Sequence, residues 1–562
     1  MHRRHGAAAS LALILVALLT ACVSLPSSGP VTAGNPEPVE ESLELDTFAR
    51  GPQPDATQQQ IVQGFIEAAA SPRGRYQVAR EYLTPAFAGV WQPDERATID
   101  VLADRAYELT SETTMVVDVT PAASLTSNGQ YDLPESSAEV ALPYRLEQVD
   151  GQWRIAEAPQ GLLVDELTFE EVFLPQALYF YDTEYRYLVP DLRWFAGRDS
   201  VQTSIVRALL AGPADWLDPG VVSAFPEGVQ LEPNSVPVSG RTASVGLSGA
   251  SFDDLVSVQR MQEQLDASLV GSVRNVDDVV LSLDGAEQNV PALSPEPEVN
   301  PRVDPRPVVF DGTSFGHLST SGDSIEQISG VSPQVEALAP DGASVGPGAE
   351  AVAVRSAGGV AIVRADEDAA PLDPRPGLVV PDIDPQGVVW SVPSDAPGEL
   401  VAFLPDGTER QILVPWAGSS IAAIEVSRDG TRVIALLGDG ARTQFVAASI
   451  ERDGDGFPTQ LGPVGLRMTS VAGTPRDVAW LDARRVASIT ALPGGETRVI
   501  IQVVGGFAEV VQGPAEGISV VGGNGERDLR VLTSAGDLVA RSGVGWQIRA
   551  TGIRFTATQQ PD

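Results

Sequence analysis

From about residue 308 onward the sequence is almost free of helical periodicity. Short Val/Ile/Ala runs alternate with Gly and Asp turn signals, the pattern of short antiparallel strands. A weak repeat is legible in "VEALAPDG" near 335, "LVVPDIDPQGVVWSV" near 378, "IAAIEVSRDGTRVIAL" near 421, "RDVAWLDARRVASI" near 476 and "GISVVGGNGERDLRVL" near 517. Intervals of about 40–56 residues approach the length of a four-stranded propeller blade. With "PVVFDGTSFGHLS" at its start, the repeat predicts an all-β propeller of five or six blades over 308–562. The closing "GWQIRATGIRF" is expected to complete the first blade. A pair of β-sandwiches is the alternative that the same strands allow.

The opposite end of the chain carries the only cysteine among 562 residues. Cys22 closes the apolar run "LALILVALLTAC", which follows Arg3 and Arg4. A basic start, a short apolar core and small residues before a processing point make a secretory signal. A membrane span needs ~20 apolar residues, more than this run supplies. Leu19, Thr20 and Ala21 before Cys22 resemble a bacterial lipobox, in which the thiol receives a diacylglyceryl group and becomes the mature N-terminus. The expectation is a signal peptide over 1–21 and a lipid attachment at Cys22, on the outer face of the cell membrane. An uncleaved anchor or a plain signal peptide are the alternatives.

This assignment removes chemistry. With Cys22 acylated, no thiol remains for a disulfide, a nucleophile or a metal. His2 and His5 leave with the signal, so His317 is the one mature imidazole. Formal charge is −38, from 75 acidic and 37 basic residues, and every basic residue is Arg. Such a surface repels phosphate backbones, so nucleic acid is not an expected partner. Without lysine there is no P-loop, and no dinucleotide fingerprint is present. No cofactor and no metal are expected.

Between the ends, residues 22–56 are rich in Pro, Gly, Ser and Glu and read as a tether, spanning about 110 Å if fully extended. Residues 57–172 open with "TQQQIVQGFIEAAA", where Thr57 and Gln60 have capping-box spacing and Ile61, Val62, Phe65 and Ile66 recur at helical period. A second helical segment around 76–87 brings Tyr82, Leu83 and Phe87 to one side. Strands follow, and Asp150-Gly151 predicts a two-residue hairpin pairing Leu146 with Ile155, Glu147 with Arg154 and Gln148 with Trp153. Helices followed by a curled antiparallel sheet resemble the NTF2-like α+β cone. Residues 173–292 hold two aromatic strands, an amphipathic helix with Val201, Ile205 and Leu209, and a second helix with Val258, Met261, Leu265 and Leu269 in line. A Pro-rich joint over 293–307 separates this block from the propeller.

"YFYDTEYRYLVPDLR", "SIVRALLAGP" and "SAFPEGVQL" resemble the GerMN domain of sporulation and germination proteins. Lipobox, tether, α+β block, GerMN block and propeller in this order resemble the LpqB family of actinobacterial lipoproteins. The resemblance implies a non-enzymatic accessory protein. Its implied partner is the extracytoplasmic sensor region of an MtrB-like histidine kinase in a two-component system of envelope growth and division. A non-catalytic envelope glycan or peptidoglycan binder is the alternative function, and a carboxylate-only glycoside hydrolase a third.

Several motifs admit both a chemical and a blander role. "GTSFGH", Gly312–His317, matches the nucleophile-elbow spacing, but strand and turn sequence continues where a helix is required; a blade turn is expected. "RDGDGF", Arg452–Phe457, hints at a calcium loop through Asp453 and Asp455, yet Val464 stands where an EF-hand needs Glu; a hairpin tip is expected. Asp182, Glu184 and Asp191 are paired carboxylates within an acidic, solvated chain. The rings Tyr179, Tyr181, Tyr185, Tyr187 and Trp194 are core residues in the ordinary case and a contact surface for protein or glycan in the other.

Overall fold

The first helix, Gln58–Ala69, begins where its capping residues place it. Thr57 Oγ1 accepts from the Gln60 amide, and Gln60 Oε1 accepts from the Thr57 amide at 2.9 Å. Ile61, Val62, Phe65 and Ile66 are all buried. The computed structural model describes residues 49–561, apart from 137, 198, 199, 253 and 441. The expected helix over 76–87 is broken into a turn at Arg73–Arg75 and short helices Gln77–Arg80 and Pro85–Ala88. Tyr76 takes a left-handed backbone (φ 61°), and Thr84 is extended before Pro85, which disfavours helix in the residue preceding it. Tyr82, Leu83 and Phe87 are buried nonetheless.

These helices cover two four-stranded sheets. In one, Arg96–Asp100 lies between Pro121–Thr126, antiparallel, and Leu162–Asp165, parallel. The other runs from Ala106–Leu109 through Thr114–Val119 and Val140–Val149 to Gln152–Glu157. Asp150 and Gly151 both have positive φ (53° and 75°), the twist a type I′ turn requires. The register is Leu146↔Ile155, Glu147↔Arg154 and Gln148↔Trp153. Leu146 and Ile155 are sealed in the core.

The second module is built on the hairpin Phe173–Asp182 and Tyr187–Ala196, with Val221–Val222 on one edge. Thr242–Ser248 and Asp278–Leu283 run parallel, joined through the helix Leu255–Leu269, as a parallel pair requires a crossover. Val258, Met261, Leu265 and Leu269 point into the core, with Ile205 and Leu209 of the helix Val201–Ala211. The Pro-rich stretch 293–307 is tied at both ends. Glu298–Val299 adds a parallel strand beside Tyr187–Leu188, while Asn300 Oδ1 accepts from the Ala483 amide at 2.8 Å. Asn524 bonds both the N–H and the carbonyl of Val303.

Among the described residues the C-terminal region forms six blades of a β-propeller. Their innermost strands begin at Gly342, Asp382, Ser420, Thr474 and Gly517 and, for the first blade, at Phe555 near the end of the chain. Ring closure differs from the expectation by one strand. Gly545–Ala550 is the outer strand of the sixth blade, and Phe555–Gln559 completes the first by pairing with Val308–Phe310. The last strand also runs parallel to Gly342–Val345 of the second blade, latching the ring. Aspartates cap blade turns: Asp384, Asp429 and Asp482 after the innermost strands, and Asp311 in the next hairpin of the first blade, each accept from backbone amides two to four residues ahead. Part of the acidic composition therefore serves turn chemistry.

Candidate functional site at the junction of the three modules

The strand Tyr187–Ala196 is the element on which the modules meet. Phe169 and Tyr131 come from the first module, Phe173 and Trp194 from the second, and Phe507 from the fifth blade. Ring centroids lie 4.7 Å apart for Phe169–Phe173, 4.8 Å for Trp194–Phe507, 5.2 Å for Phe169–Trp194 and 5.5 Å for Tyr131–Phe507. Trp194 Nε1 donates to the Gly505 carbonyl at 3.1 Å. The blade turn fits closely here: a Cβ on Gly506 would stand 2.8 Å from Leu192 Cδ2. On the other side the Trp194 amide donates to the Gly129 carbonyl at 2.8 Å.

Below the rings lies a buried ion pair. Arg193 Nε and Nη2 donate to Asp191 at 3.0 and 2.7 Å, and Nη1 donates to the Asn128 carbonyl at 3.0 Å. Asp191 also accepts from the Ala214 amide at 2.9 Å. Both side chains are almost fully buried, and satisfying their hydrogen bonds is what makes such burial tolerable. A single apolar cluster then runs from Trp216 and Leu217 of the second module into Phe445, Leu466 and Met468 of the fourth blade. Beside the rings opens a groove of about 540 Å³, lined by Trp194, Phe507, Ile501 and Val503 and edged by Glu170 and Glu509. Leu167, one turn before Glu170, is exposed.

The five aromatic residues considered as a contact surface are not exposed. Tyr181, Tyr187 and Trp194 are buried, and Tyr179 and Tyr185 are half-buried. The reason is that both faces of the hairpin are covered. Tyr181 donates its hydroxyl to the Arg260 carbonyl at 3.2 Å on the helix Leu255–Leu269, and the Arg260 guanidinium sits 3.5 Å over the Tyr185 ring. Burial raises the Tyr179 phenol, and Arg484 and Asp482 of the fifth blade are the charges it senses next.

The carboxylates are likewise committed. Asp182 accepts from the amides of Arg186 and Tyr187, both at 2.7 Å, closing its own hairpin. Burial pushes its carboxyl up despite those donors. Glu184 is exposed and faces Arg186 at 3.5 Å. Gly312–Ser314 form the turn between Val308–Phe310 and Phe315–Leu318, capped by Asp311, and His317 lies in the second strand opposite Val308. Asp453 caps the "RDGDGF" tip through the amides of Asp455 and Phe457 and pairs with Arg410 at 2.6 Å. Among the described residues no three His, Cys, Asp or Glu side chains form a metal-holding group. Leu19, Thr20, Ala21 and Cys22 lie outside the described residues. No described helix is long and apolar enough to cross a membrane.

Sequence reasoning missed Phe507. The signal was present as "GGF" at a blade turn, where a large ring has no business unless something covers it.

Three family models match the chain. "Lipoprotein LpqB, N-terminal domain" covers residues 51–170, "Sporulation and spore germination" 177–289, and "Lipoprotein LpqB beta-propeller domain" 316–556. The chain is 28% identical over 494 residues to Lipoprotein LpqB of Bifidobacterium longum, covering 80% of each. It is 24% identical over 618 residues to that of Streptomyces coelicolor, covering 97% of this chain and 96% of the relative. To that of Thermobifida fusca it is 31% identical over 312 residues, 52% of this chain and 48% of the relative. A solved nidogen/laminin complex aligns with 42% of this chain and 88% of its own at a TM-score of 0.31 and 11% identity; that likeness carries no argument. Two of the three models describe one family and together cover more than half of the residues, in the order and over the blocks just described: the chain belongs to the LpqB lipoprotein family.

Proposed function

We propose that the chain is a non-catalytic accessory lipoprotein, anchored through Cys22 at the outer face of the cell membrane. In this reading it binds the extracytoplasmic sensor region of an MtrB-like histidine kinase and modulates signalling in envelope growth and division. The observation that carries the reading is the junction: three modules joined by shared cores into one body, with the motif carboxylates committed to turns and ion pairs. Such a body can pass a binding preference from one end to the other. A binder biases a kinase only through different affinities for its two states. In this reading the partner docks on the groove beside Trp194 and Phe507 and on Leu167, exposed one helical turn before the groove residue Glu170.

The test is retention of the purified full-length protein by the immobilised sensor region, run beside sedimentation with peptidoglycan. The reading expects capture by the sensor region and its loss with Leu167→Asp. Sedimentation with peptidoglycan alone would transfer the role to glycan binding, and turnover of an envelope substrate would end the non-catalytic reading. Mass spectrometry of the mature N-terminus checks the anchor, which an unmodified Cys22 refutes.

A further inference from the structure

The propeller repeat places a polar residue followed by an apolar one at the same point of successive innermost strands. These are Ser344-Val345, Asp382-Ile383, Glu425-Val426, Asp477-Val478 and Ser519-Val520. All but Glu425 reach the next strand of the ring through the side chain. Ser344 Oγ accepts from the Ile383 amide at 3.2 Å, Asp382 Oδ2 from the Val426 amide at 2.7 Å, and Asp477 Oδ2 from the Val520 amide at 2.9 Å. Ser519 Oγ and Thr556 Oγ1 share a bond of 3.4 Å where the sixth blade meets the closing strand. The result is a belt of inter-blade ties around the innermost strands.

One member departs from the pattern. Glu425 is one methylene longer, and its Oε2 is buried without a hydrogen-bond partner. The tie at this position comes from its main chain instead, whose carbonyl accepts from Trp480 Nε1 at 3.2 Å. The charged groups around the carboxyl are Asp382 on the preceding blade, Asp477 on the following one, and Arg428 on its own inner turn, and the Trp480 main chain also acts to favour its ionised form. Arg428 makes no hydrogen bond to it, because Nη2 donates to the carbonyls of Gly523 and Trp480 while Nη1 is itself unpartnered, and its charge offsets the burial only in part. Asp382 in turn accepts from Ser344 Oγ at 2.7 Å and Thr558 Oγ1 at 3.2 Å. Asp477 is capped by the amides of Val520 and Val478, with Arg355 as its nearest cationic influence.

We propose that this belt is a proton-operated latch: Glu425 is an un-ionised carboxylic acid at neutral pH, and the join between blades three, four and five loosens as the medium turns alkaline. An unpaired ionised carboxylate between two others in a dry site is expensive, and taking up a proton is the cheap way out. Burial, with the Asp382 carboxylate next, holds Glu425 well above the ordinary glutamate range. Burial pushes Asp382 up to about 6 against the hydrogen bonds that favour its ionised form. The latch sits on the blade that receives the second module, where Ser449 Oγ donates to the Asp218 carbonyl at 3.4 Å. Proton release at the belt therefore acts on a blade that also makes an inter-module contact.

The sign follows from linkage. The folded chain holds protons that the unfolded chain releases, so stability due to the belt is full at low pH and is lost as pH rises through the folded values. The experiment compares full-length parent, Glu425→Gln and the exposed control Glu287→Gln by thermal unfolding at pH 5.5 and 8.0. The parent and the control are expected to lose about 2–4 °C more across this interval than Glu425→Gln. Equal losses in all three would overturn the latch. Infrared difference spectra at pH 7 give a second reading on the native fold. A protonated carboxyl band present in the parent and absent from Glu425→Gln is expected, and a parent spectrum with carboxylate alone at this position would overturn the proposal even if the variant failed to fold.

Discussion

The junction and the propeller axis are both interior, yet they are held by opposite chemistry. At the junction five rings and a bidentate Asp191–Arg193 pair lock three modules together. At the axis, carboxylates and hydroxyls stitch blade to blade, and one carboxylate oxygen is left over. Apolar contact area does not titrate, whereas a belt of buried acids does. Tyr131 at the junction underlines the contrast: burial pushes its phenol up to about 12, far from any working pH. One interior should therefore be indifferent to pH between 5 and 8, and the other should not.

The largest effect expected from breaking this comparison is at Trp194. Trp194→Ala removes the ring shared by all three modules and leaves the Gly505 carbonyl without its donor. The expected loss is about 3–5 kcal/mol. It should be the same at pH 5.5 and pH 8.0 in denaturant titrations, with new proteolytic sites near residues 128–130 and 505–507. A loss that grew with pH would mean the junction depends on charge more than its rings imply. A loss below about 1 kcal/mol would mean the rings are not the lock.

Ser344→Ala should cost less and behave differently. The hydroxyl donates to Asp382 and accepts from the Ile383 amide, so its removal is expected to cost about 1–3 kcal/mol. The donor favours the ionised form of Asp382, whose carboxyl already stands at about 6 against an ordinary 3.8. Removing it raises that value further. The folded state then holds its proton to higher pH, and the unfolded state still releases it near pH 4. The cost of the substitution should accordingly be smaller below pH 6 and larger above it. A flat cost from pH 5.5 to 8.0 would erase the distinction between the two interiors.

The contrast also marks what could be read from the residues in order. Local rules were enough for Thr57 and Gln60, for the Asp150-Gly151 hairpin and its register, and for the apolar stripes of both long helices, because each depends on neighbours within a few positions. The propeller was legible because its repeat states the same local rule several times. The sequence left the tyrosines open between core and contact surface because their exposure is decided by elements far away in sequence: helix Leu255–Leu269 on one side and the propeller on the other. The segment 76–87 failed as one helix for a local reason, Pro85, that apolar spacing outweighed. The extra strand at Glu298–Val299 and the displaced closing strand are tertiary pairings, and composition marked the first as a joint. The belt went unread in the sequence, because its Ser, Asp and Glu residues gain their meaning only from the neighbouring blade, and only the structure reveals that Glu425 overreaches.

The smallest effect belongs to a position remote from both interiors. Thr57→Ala removes the hydroxyl that caps the first helix and breaks the reciprocal box with Gln60, an expected loss of about 1 kcal/mol. Its value lies in where the loss appears. If the junction joins the modules into one cooperative unit, amide exchange should rise equally for the slowest amides of the first module and of the propeller, since both open only in global unfolding. If the rings merely hold the modules side by side, exchange should rise in the first module alone, near Ile61–Ile66, and the propeller amides should not respond. The second outcome would leave the axis as the sole cooperative interior and would reduce the junction to a contact.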